Sequence, residues 1–235
     1  MSPLPALALP GGLADVWVYL STTPLLGLAL TLVVYHGAFL VYQRAGFNPL
    51  ANPVAIAVMV LATLLWVTGT PYATYFEGAQ FVHFLLGPAT VALAVPLYEQ
   101  MGRLRRLALP LLGALVVGTL AATVTAIGVG WALGASTATL ASLAPKSVTT
   151  PVAMGIAEKI GGLPSLTAVL VVSTGIVGAA SARFLFDAMR IQDPTVRGFA
   201  LGTAAHGIGT ARAFQVSEEM GAFAGLAMGL SALFS

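Results

Sequence analysis

The sequence has 235 residues, of which 58% are hydrophobic and only 8% are charged, and its mean hydropathy is +0.93. Soluble domains carry roughly 25% charged residues, so this composition excludes a soluble globular protein and indicates a membrane protein. The net charge of +2 gives no reason to expect nucleic acid as a partner, and the absence of cysteine excludes disulfides, thiolate metal sites and a cysteine nucleophile.

The chain begins with a segment rich in Pro and Ala, residues 1–15, which we expect to be a flexible lead-in with no assigned role. No basic residue precedes the first apolar run, so a cleaved secretory signal is not expected. The remaining residues, 16–235, are predicted to form one transmembrane domain.

Four apolar runs in this domain approach or exceed the length of about 20 residues that crosses a hydrocarbon layer of roughly 30 Å. They lack the alternating pattern of an outer-membrane barrel. The predicted fold class is therefore an all-α polytopic membrane protein. The runs cover residues 18–42, 53–70, 107–133 and 163–186.

Three further apolar stretches are interrupted by Pro, Gly or polar residues, and we predict discontinuous or re-entrant helices around 81–98, 138–157 and 199–215. Such backbone is tolerated at membrane depth only where it faces protein or a water-filled cavity. The positive-inside rule places the loops that carry Arg103 and Arg197 in the cytoplasm. A full crossing by 138–157 would put Arg197 on the opposite side, so a re-entrant segment is favoured there.

The stretch PKSVTT places a lysine and three hydroxyls between two predicted helix breaks, Pro145 and Pro151. Proline suits the first position of a helix, and Thr150 just before it is a suitable N-cap. We therefore expect a helix to restart at Pro151 and the residues before it to be extended or irregular.

The chemistry of this stretch predicts an anion site. A charged lysine at the bilayer centre costs about 2.5 to 3.5 kcal/mol, so Lys146 is expected to face a cavity, a counter-ion or a ligand. Its ammonium would lie beside the hydroxyls of Ser147, Thr149 and Thr150 and beside a helix N-terminus, which attracts negative charge. A small carboxylate is the predicted substrate at these four residues.

A structural role for Lys146 is the alternative. A lysine can bury its stem and extend its ammonium to the membrane interface. It can also pair with Glu158 or Glu99 and join two helices without binding a ligand.

A weak internal echo relates GPATVALAVP to APKSVTTPVA, since both contain Pro, one further residue, a hydroxyl and Val. A true repeat would fit transporters in which broken helices recur in two halves around a central site. Chance similarity between apolar segments is the alternative. The echo adds Pro88 as a helix break and Thr90 as a substrate-binding residue.

A second polar island reads LGTAAHGIGTARAFQ. His206 titrates near neutrality and could carry a coupling proton, while Arg212 could hold a carboxylate bidentately, with Thr210 close by. Gly207 and Gly209 weaken a helix and are predicted breaks. In the alternative, His206 is a hydrogen-bonded packing residue and Arg212 an interfacial anchor.

Three glycines at a spacing of four, Gly221, Gly225 and Gly229, form a stripe of small residues. Such a stripe lets another helix approach closely. It predicts helix packing and no chemistry.

Metal, cofactor and nucleotide chemistry are not expected. His36 and His83 have no carboxylate or cysteine partners at ligand spacing. The sequence also contains no phosphate-binding loop of the GxxxxGK[ST] type, so this chain is not expected to drive transport with ATP.

The lysine and histidine motifs, PKSVTTPVAMGIAEKIGGLPSLTAV and GTAAHGIGTARAF, resemble those of the LrgB/CidB family of bacterial inner-membrane proteins. Further support comes from NP at Asn52 and Pro53, from TGTPYATYFEGAQ and from GPATVALAVPLYEQ. The resemblance covers nearly the whole chain after about residue 15 and implies a multi-pass protein of the bacterial cytoplasmic membrane.

The resemblance implies two kinds of function. The family was first described as antiholin-like or holin-like, modulating murein hydrolase export and autolysis together with a small LrgA/CidA partner membrane protein. Related proteins act as pyruvate transporters, and a plastid relative looks like a glycolate/glycerate translocator. A buried lysine between helix breaks suits a carboxylate carrier better than a pore.

We therefore predict a secondary transporter of small monocarboxylates such as pyruvate, lactate, glycolate or glycerate, without enzymatic activity. The alternative is an antiholin-like regulator of a holin-like partner. Expected partners are the substrate, membrane lipid, and further copies of the chain or an LrgA/CidA-like protein. The predicted substrate-binding residues are Lys146, Ser147, Thr149, Thr150, Thr90, His206, Thr210 and Arg212.

Overall fold

The structure is a computed structural model, and every regular element in the residues that it describes is helical. The predicted all-α polytopic fold is thus confirmed. The lead-in over 1–15 and Thr90 lie outside the described residues. Those residues are 24–85, 88, 91, 92 and 94–234.

The chain divides into two compact units. The first contains the described parts of 1–46 and 53–89, and the second contains 47–52 and the described parts of 90–235. Each has its own packing, and the candidate site lies in the second.

The first unit contains three helices in its described residues: α1 (Pro24–Arg44), α2 (Pro53–Thr68) and α3 (Tyr72–Phe84). Helix α1 packs against both others. Gly27 permits the approach of α1 to α3, because a Cβ there would overlap the carbonyl oxygen of Tyr75.

The second unit contains a short 3₁₀ turn and seven helices in its described residues. Helix α5 (Met101–Ala132) has 32 residues and α8 (Pro164–Ala188) has 25, and together with α1 they are long and apolar enough to cross a membrane. Helix α2, with 16 residues, is shorter than the predicted span at 53–70. The elements are the turn Pro49–Ala51, α4 (Ala94–Glu99), α5 (Met101–Ala132), α6 (Thr137–Leu143), α7 (Thr150–Lys159), α8 (Pro164–Ala188), α9 (Pro194–Val216) and α10 (Glu218–Phe234).

Helices α6 and α7 form the first of two re-entrant hairpins, as predicted for 138–157. They have seven and ten residues, or roughly 10 and 15 Å of helix, so neither crosses a membrane. The hydroxyl of Ser142, near the end of α6, accepts a hydrogen bond from the backbone N–H of Leu163 at 2.8 Å. This bond brings the chain that leaves α7 back beside α6.

Helix α9 forms the second hairpin, because its backbone is not helical at Ala205 (φ −125°, ψ 15°) and His206 (φ 40°, ψ −132°). The residues after His206 fold back on those before it. A Cβ placed on Gly209 would lie 2.7 Å from the carbonyl oxygen of Leu201, whereas eight residues of continuous helix would separate the two by roughly 12 Å.

The two ends of α9 lie at the same face of the second unit. Arg103 at the start of α5 forms ion pairs with Asp193, the N-cap of α9 (3.1 Å), and with Glu219 at the start of α10. The Thr195 hydroxyl also donates to the Glu219 carboxylate at 3.2 Å. Because α5 leads from Arg103 to the opposite face before α6 begins, the two hairpins enter from opposite faces.

Two glycines of α9 allow its first arm to pack directly on α10. A Cβ on Gly198 would overlap the carbonyl oxygen of Met220, and one on Gly202 would overlap that of Ala224. No larger residue fits at either position without moving backbone.

The three glycines of the predicted packing stripe on α10 differ in their surroundings within the described chain, and their role in helix packing stays a prediction. Gly221 does lie against a neighbour, the ring of Phe214, and Gly225 is half-buried. Gly229, however, has open space around it within the described chain. The close approach of α9 and α10 depends instead on Gly198 and Gly202 of α9, because these two glycines lie against backbone carbonyls of α10.

Candidate functional site

The tip of the first hairpin consists of two overlapping turns between α6 and α7. The N–H of Lys146 donates to the Leu143 carbonyl and that of Val148 to the Pro145 carbonyl, both at 3.2 Å. The residues around the predicted break at Pro145 are therefore irregular, as one of the two expected forms, and they form turns.

The helix after this tip begins at Thr150, one residue earlier than expected. Thr149 occupies the N-cap position with extended backbone (φ −62°, ψ 145°), and Pro151 lies within the first two helical positions. Thr149 makes no side-chain capping hydrogen bond. Its hydroxyl and that of Thr150 flank the N-terminus of α7.

Lys146 is half-buried at this tip, and its ammonium donates to the hydroxyl of Ser147 at 3.4 Å. The ion pairs among the described residues do not include Lys146, so neither Glu158 nor Glu99 serves as its structural partner. The structure thus gives no support to the ion-pair alternative.

His206 forms the tip of the second hairpin and is buried at 4% exposure. Its Nε2 lies 2.9 Å from the carbonyl oxygen of Val171 on α8, at hydrogen-bond distance. The absence of a side chain at Gly175 makes room for the ring, since a Cβ there would lie 2.8 Å from His206 Cε1. The break lies at Ala205 and His206, immediately before the glycines at which it was expected.

The two tips meet at Val171. Val148 from the first tip packs with Ala153 and Val171 in one buried cluster, while His206 contacts the Val171 carbonyl. Val148 follows Lys146 by two residues, so the lysine-bearing tip and His206 both adjoin the same turn of α8. Two polar motifs that lie 60 residues apart in sequence are therefore juxtaposed on α8.

A cavity of about 240 Å³ adjoins the first tip. Its volume equals that of several water molecules, each of which takes roughly 30 Å³, so a small organic anion would fit. Four hydroxyl residues contribute to its wall, and the Thr123 hydroxyl also donates to the Ala144 carbonyl at 3.4 Å. The lining residues are Thr119, Leu120, Thr123, Ala144, Pro145, Ser147, Val148, Ile156, Ser231 and Phe234.

Of the predicted substrate-binding residues that the structure describes, Ser147 lines this cavity and the others do not. The Thr210 hydroxyl donates to the His206 carbonyl of its own helix at 2.9 Å and is buried. Arg212 lines a different cavity together with Ala182 of α8. Since Ala182 follows Val171 by 11 residues of helix, or roughly 16 Å, Arg212 belongs to another region.

The predicted region around 81–98 is described only in part. Helix α3 ends at Phe84, and the next described helix begins at Ala94. Pro88 is helical, but residues on both sides of it lie outside the described part of the chain, as does Thr90.

The cavity also contains residues that were not predicted from the sequence. Thr119 and Thr123 stand four apart within an apolar run, a spacing that puts both hydroxyls on one face of α5. This spacing of two threonines was the sequence signal from which a polar face on α5 could have been predicted. The backbone carbonyl of Val171 carried none, because a carbonyl contact leaves no trace in side-chain pattern.

Opposed re-entrant hairpins with polar tips, held between apolar helices, define a polytopic helical membrane protein with discontinuous helices. The chain belongs to the LrgB-like family, whose sequence model matches residues 31–235. This confirms the resemblance drawn from the motifs.

Curated relatives match along most of their length. The protein YwbG of Bacillus subtilis, described as uncharacterized, is 38% identical over 90% of this chain and 93% of its own. The antiholin-like protein LrgB of Bacillus mycoides is 32% identical over 88% of this chain and 90% of its own. The protein of the same name from Bacillus cereus strain B4264 is 31% identical over the same shares. No solved structure matches the chain.

Proposed function

We propose that this protein is a secondary transporter of small monocarboxylates in the bacterial cytoplasmic membrane. The supporting observation is the meeting of two hairpin tips, one from each face, at Val171, which packs with Val148 of the lysine-bearing tip and whose carbonyl contacts His206. Broken helices that meet near the midplane around a polar centre are typical of secondary transporters. No enzymatic reaction is proposed.

The chemistry of the tips suits a small carboxylate. The Lys146 ammonium has no carboxylate partner among the described residues, so a substrate carboxylate would satisfy it. The hydroxyls of Ser147, Thr149 and Thr150 would bond to the carboxylate or to a neighbouring keto or hydroxyl group. The adjoining cavity, to which Ser147 contributes but Lys146, Thr149 and Thr150 do not, has a volume of about 240 Å³, which suits a three-carbon acid better than a large metabolite.

His206 is the proposed carrier of a coupling proton. Its imidazole contacts Val171, which also packs against Val148 of the lysine-bearing tip, so a carboxylate bound at that tip would lie near His206. An anion at this point would favour the protonated imidazole, and its departure would favour proton release. Movement of one hairpin relative to α8 would then expose the site to each face in turn.

The test is uptake of labelled pyruvate, lactate, glycolate and glycerate into proteoliposomes that contain this chain alone. Lys146→Ala should lower uptake roughly 10- to 100-fold, because a hydrogen bond to a charged group contributes about 1.5–3 kcal/mol. Lys159→Ala is the matched control, since Lys159 is exposed at the end of α7 and is expected to leave uptake unchanged.

Normal uptake by Lys146→Ala would remove the anion-site proposal. Absence of uptake of all four acids by the intact chain, with release of a large trapped dye, would favour a pore. Both variants must elute as folded, monodisperse protein for the comparison to hold.

The second candidate is an antiholin-like regulator of a holin-like partner of the LrgA/CidA type, assembled with that partner or with further copies of the chain. The names of the Bacillus mycoides and Bacillus cereus relatives favour it. Under this proposal, co-expression with the partner would change the export of murein hydrolase and the rate of autolysis. Lys146→Ala would leave that change intact if regulation does not involve the anion site.

A further inference from the structure

We infer that a second cavity, at the arginine-bearing face of the second unit, binds the headgroup of an anionic phospholipid. This cavity has a volume of about 180 Å³ and contains three guanidinium groups. It is formed by α8, by both arms of α9 and by the start of α10. Its lining residues are Ala179, Ala182, Arg183, Phe186, Arg197, Leu201, Arg212, Val216 and Met220.

The guanidinium groups give this cavity a positive charge. Arg183 and Arg197 share one carboxylate, Asp187, at 3.9 and 2.5 Å. One carboxylate balances only one of the two charges, so this pair stays net positive. Arg212, on the returning arm of α9, also lines the cavity and donates to the Gln215 side chain at 3.2 Å.

Arg197 is the fixed member of the group. It is largely covered by its neighbours, with a side chain that is 16% exposed. Its Nε donates to the Ile191 carbonyl at 2.6 Å, and its guanidinium lies over the Phe186 ring at 5.7 Å from the centroid. Arg183 is 61% exposed and can turn toward a ligand.

The rest of the lining favours a lipid over a free anion. Six of the nine lining residues are apolar, and Val216 at the edge of the cavity is 55% exposed. On α8, the residues next to Arg183, Phe184 and Leu185, are also exposed. Guanidinium groups beside apolar surface fit a phosphate that carries acyl chains, and basic pockets between helices at the cytoplasmic side bind such headgroups.

The test is titration of the purified chain in detergent with fluorescent phosphatidylglycerol, and with phosphatidylcholine as the neutral comparison. The intact chain should bind phosphatidylglycerol saturably and far more tightly than phosphatidylcholine. Arg183→Ala/Arg212→Ala should weaken binding roughly 30-fold, since each basic residue near an anionic surface contributes about a fivefold factor. Arg197 is left in place because it also holds the chain between α8 and α9.

Arg105→Ala/Arg106→Ala is the matched control, because both side chains are exposed near Arg103 at the start of α5 but do not line the cavity. It should bind like the intact chain. Arg183→Lys/Arg212→Lys keeps the charge and should lose less affinity than the alanine pair.

Two results would overturn the inference. Equal loss of binding in both alanine pairs would show that net charge alone attracts the lipid. Competition by millimolar inorganic phosphate or pyruvate, with full displacement of the lipid, would assign the cavity to free anions. Because the titration involves no transport, it can fail or succeed independently of the carboxylate proposal.

Discussion

His206 combines an unusual backbone conformation with a buried, hydrogen-bonded side chain. Its φ of 40° lies in the left-handed region, which a residue with a Cβ adopts at a cost of about 1–3 kcal/mol. The contact of Nε2 with the Val171 carbonyl holds the ring in place, and Gly175 leaves room for it. Such strain is typically retained at functional positions.

Alanine is usually more stable than glycine within a helix. The backbone strain at His206 predicts that this order is reversed there. Both His206→Gly and His206→Ala remove the imidazole, so they differ only in backbone freedom. We expect His206→Gly to be the more stable by about 1 kcal/mol, because glycine adopts positive φ without strain. The measurement is the melting temperature in detergent, where this difference corresponds to roughly 2–4 °C.

Thr210 provides the control on the same hairpin arm, since it is buried in regular helix four residues later. There alanine should be more stable than glycine by about 1 kcal/mol, the usual helix preference. The same order at both positions would contradict the left-handed conformation at His206.

At the scale of elements, the two hairpins explain why the arginine loops share one face. Arg103 pairs with Asp193 at the entry to α9 and with Glu219 just beyond its exit. The chain thus returns to the face from which α9 started. A continuous helix of 23 residues would instead carry Glu219 roughly 35 Å away from Asp193.

Cysteine labelling can test this arrangement, because the chain has no cysteine of its own. Arg105→Cys and Glu218→Cys should both react with a membrane-impermeant maleimide from the cytoplasmic face. Leu133→Cys and Lys159→Cys should react from the opposite face only. All four positions are exposed, so differences in labelling report sidedness.

The measurement is the extent of maleimide labelling in sealed vesicles of both orientations, right-side-out and inside-out. Reaction of Arg105→Cys and Glu218→Cys from opposite faces would mean that α9 crosses the membrane. Reaction of Lys159→Cys from the cytoplasmic face would mean the same of the segment that contains α6 and α7.

Much of this arrangement of helices and re-entrant hairpins could be predicted from the sequence. Prolines on both sides of Lys146, and arginines that must share one side, were enough to favour a re-entrant segment at 138–157. The sequence predicts the bend slightly late, at Gly207 and Gly209, because glycines are the residues that usually mark a break. Gly209 instead permits the close return of the chain past Leu201.

The composition of the site was harder to predict. The closeness of Arg212 and His206 in sequence predicts one shared site, but the returning arm of α9 carries Arg212 to the cavity of the arginine-bearing face. Periodicity within one helix cannot reveal a hairpin. Thr119 and Thr123 come from a separate helix, and nothing local connects them with Ser147.

At the scale of the second unit, Arg103 joins the starts of three helices, α5, α9 and α10. Asp193 contributes as the N-cap of α9, accepting hydrogen bonds from the N–H groups of Thr195 and Val196 at 2.8 and 3.3 Å. Desolvation acts to raise the pKa of Asp193, but these amides, the Thr195 hydroxyl and Arg103 together hold that pKa below its usual value.

We call the contact of Arg103 with Asp193 and Glu219 the junction of α5, α9 and α10. Because the pKa of Asp193 is lowered, the stability of this junction should depend on pH. A carboxyl whose pKa is lower in the folded state stabilises the fold at pH values above the unfolded pKa of about 3.9. This contribution is lost as the pH falls through the folded value. Protonation would also end the pairing with Arg103, so the junction that closes the α9 hairpin should weaken on the acid side.

Asp193→Asn should therefore flatten the acid side of the stability profile. Asparagine remains a good N-cap, so the variant loses the charge and keeps the helix start. Near neutral pH we expect its melting temperature to be lower than that of the intact chain by about 1–3 °C, as for an exposed ion pair, and the two melting temperatures should converge toward pH 3.

Glu158→Gln is the control, because Glu158 is an exposed carboxylate without an ion pair among the described residues. Its melting temperature should follow that of the intact chain throughout. Parallel profiles for Asp193→Asn and the intact chain would mean that Arg103 and Asp193 do not stabilise the junction electrostatically.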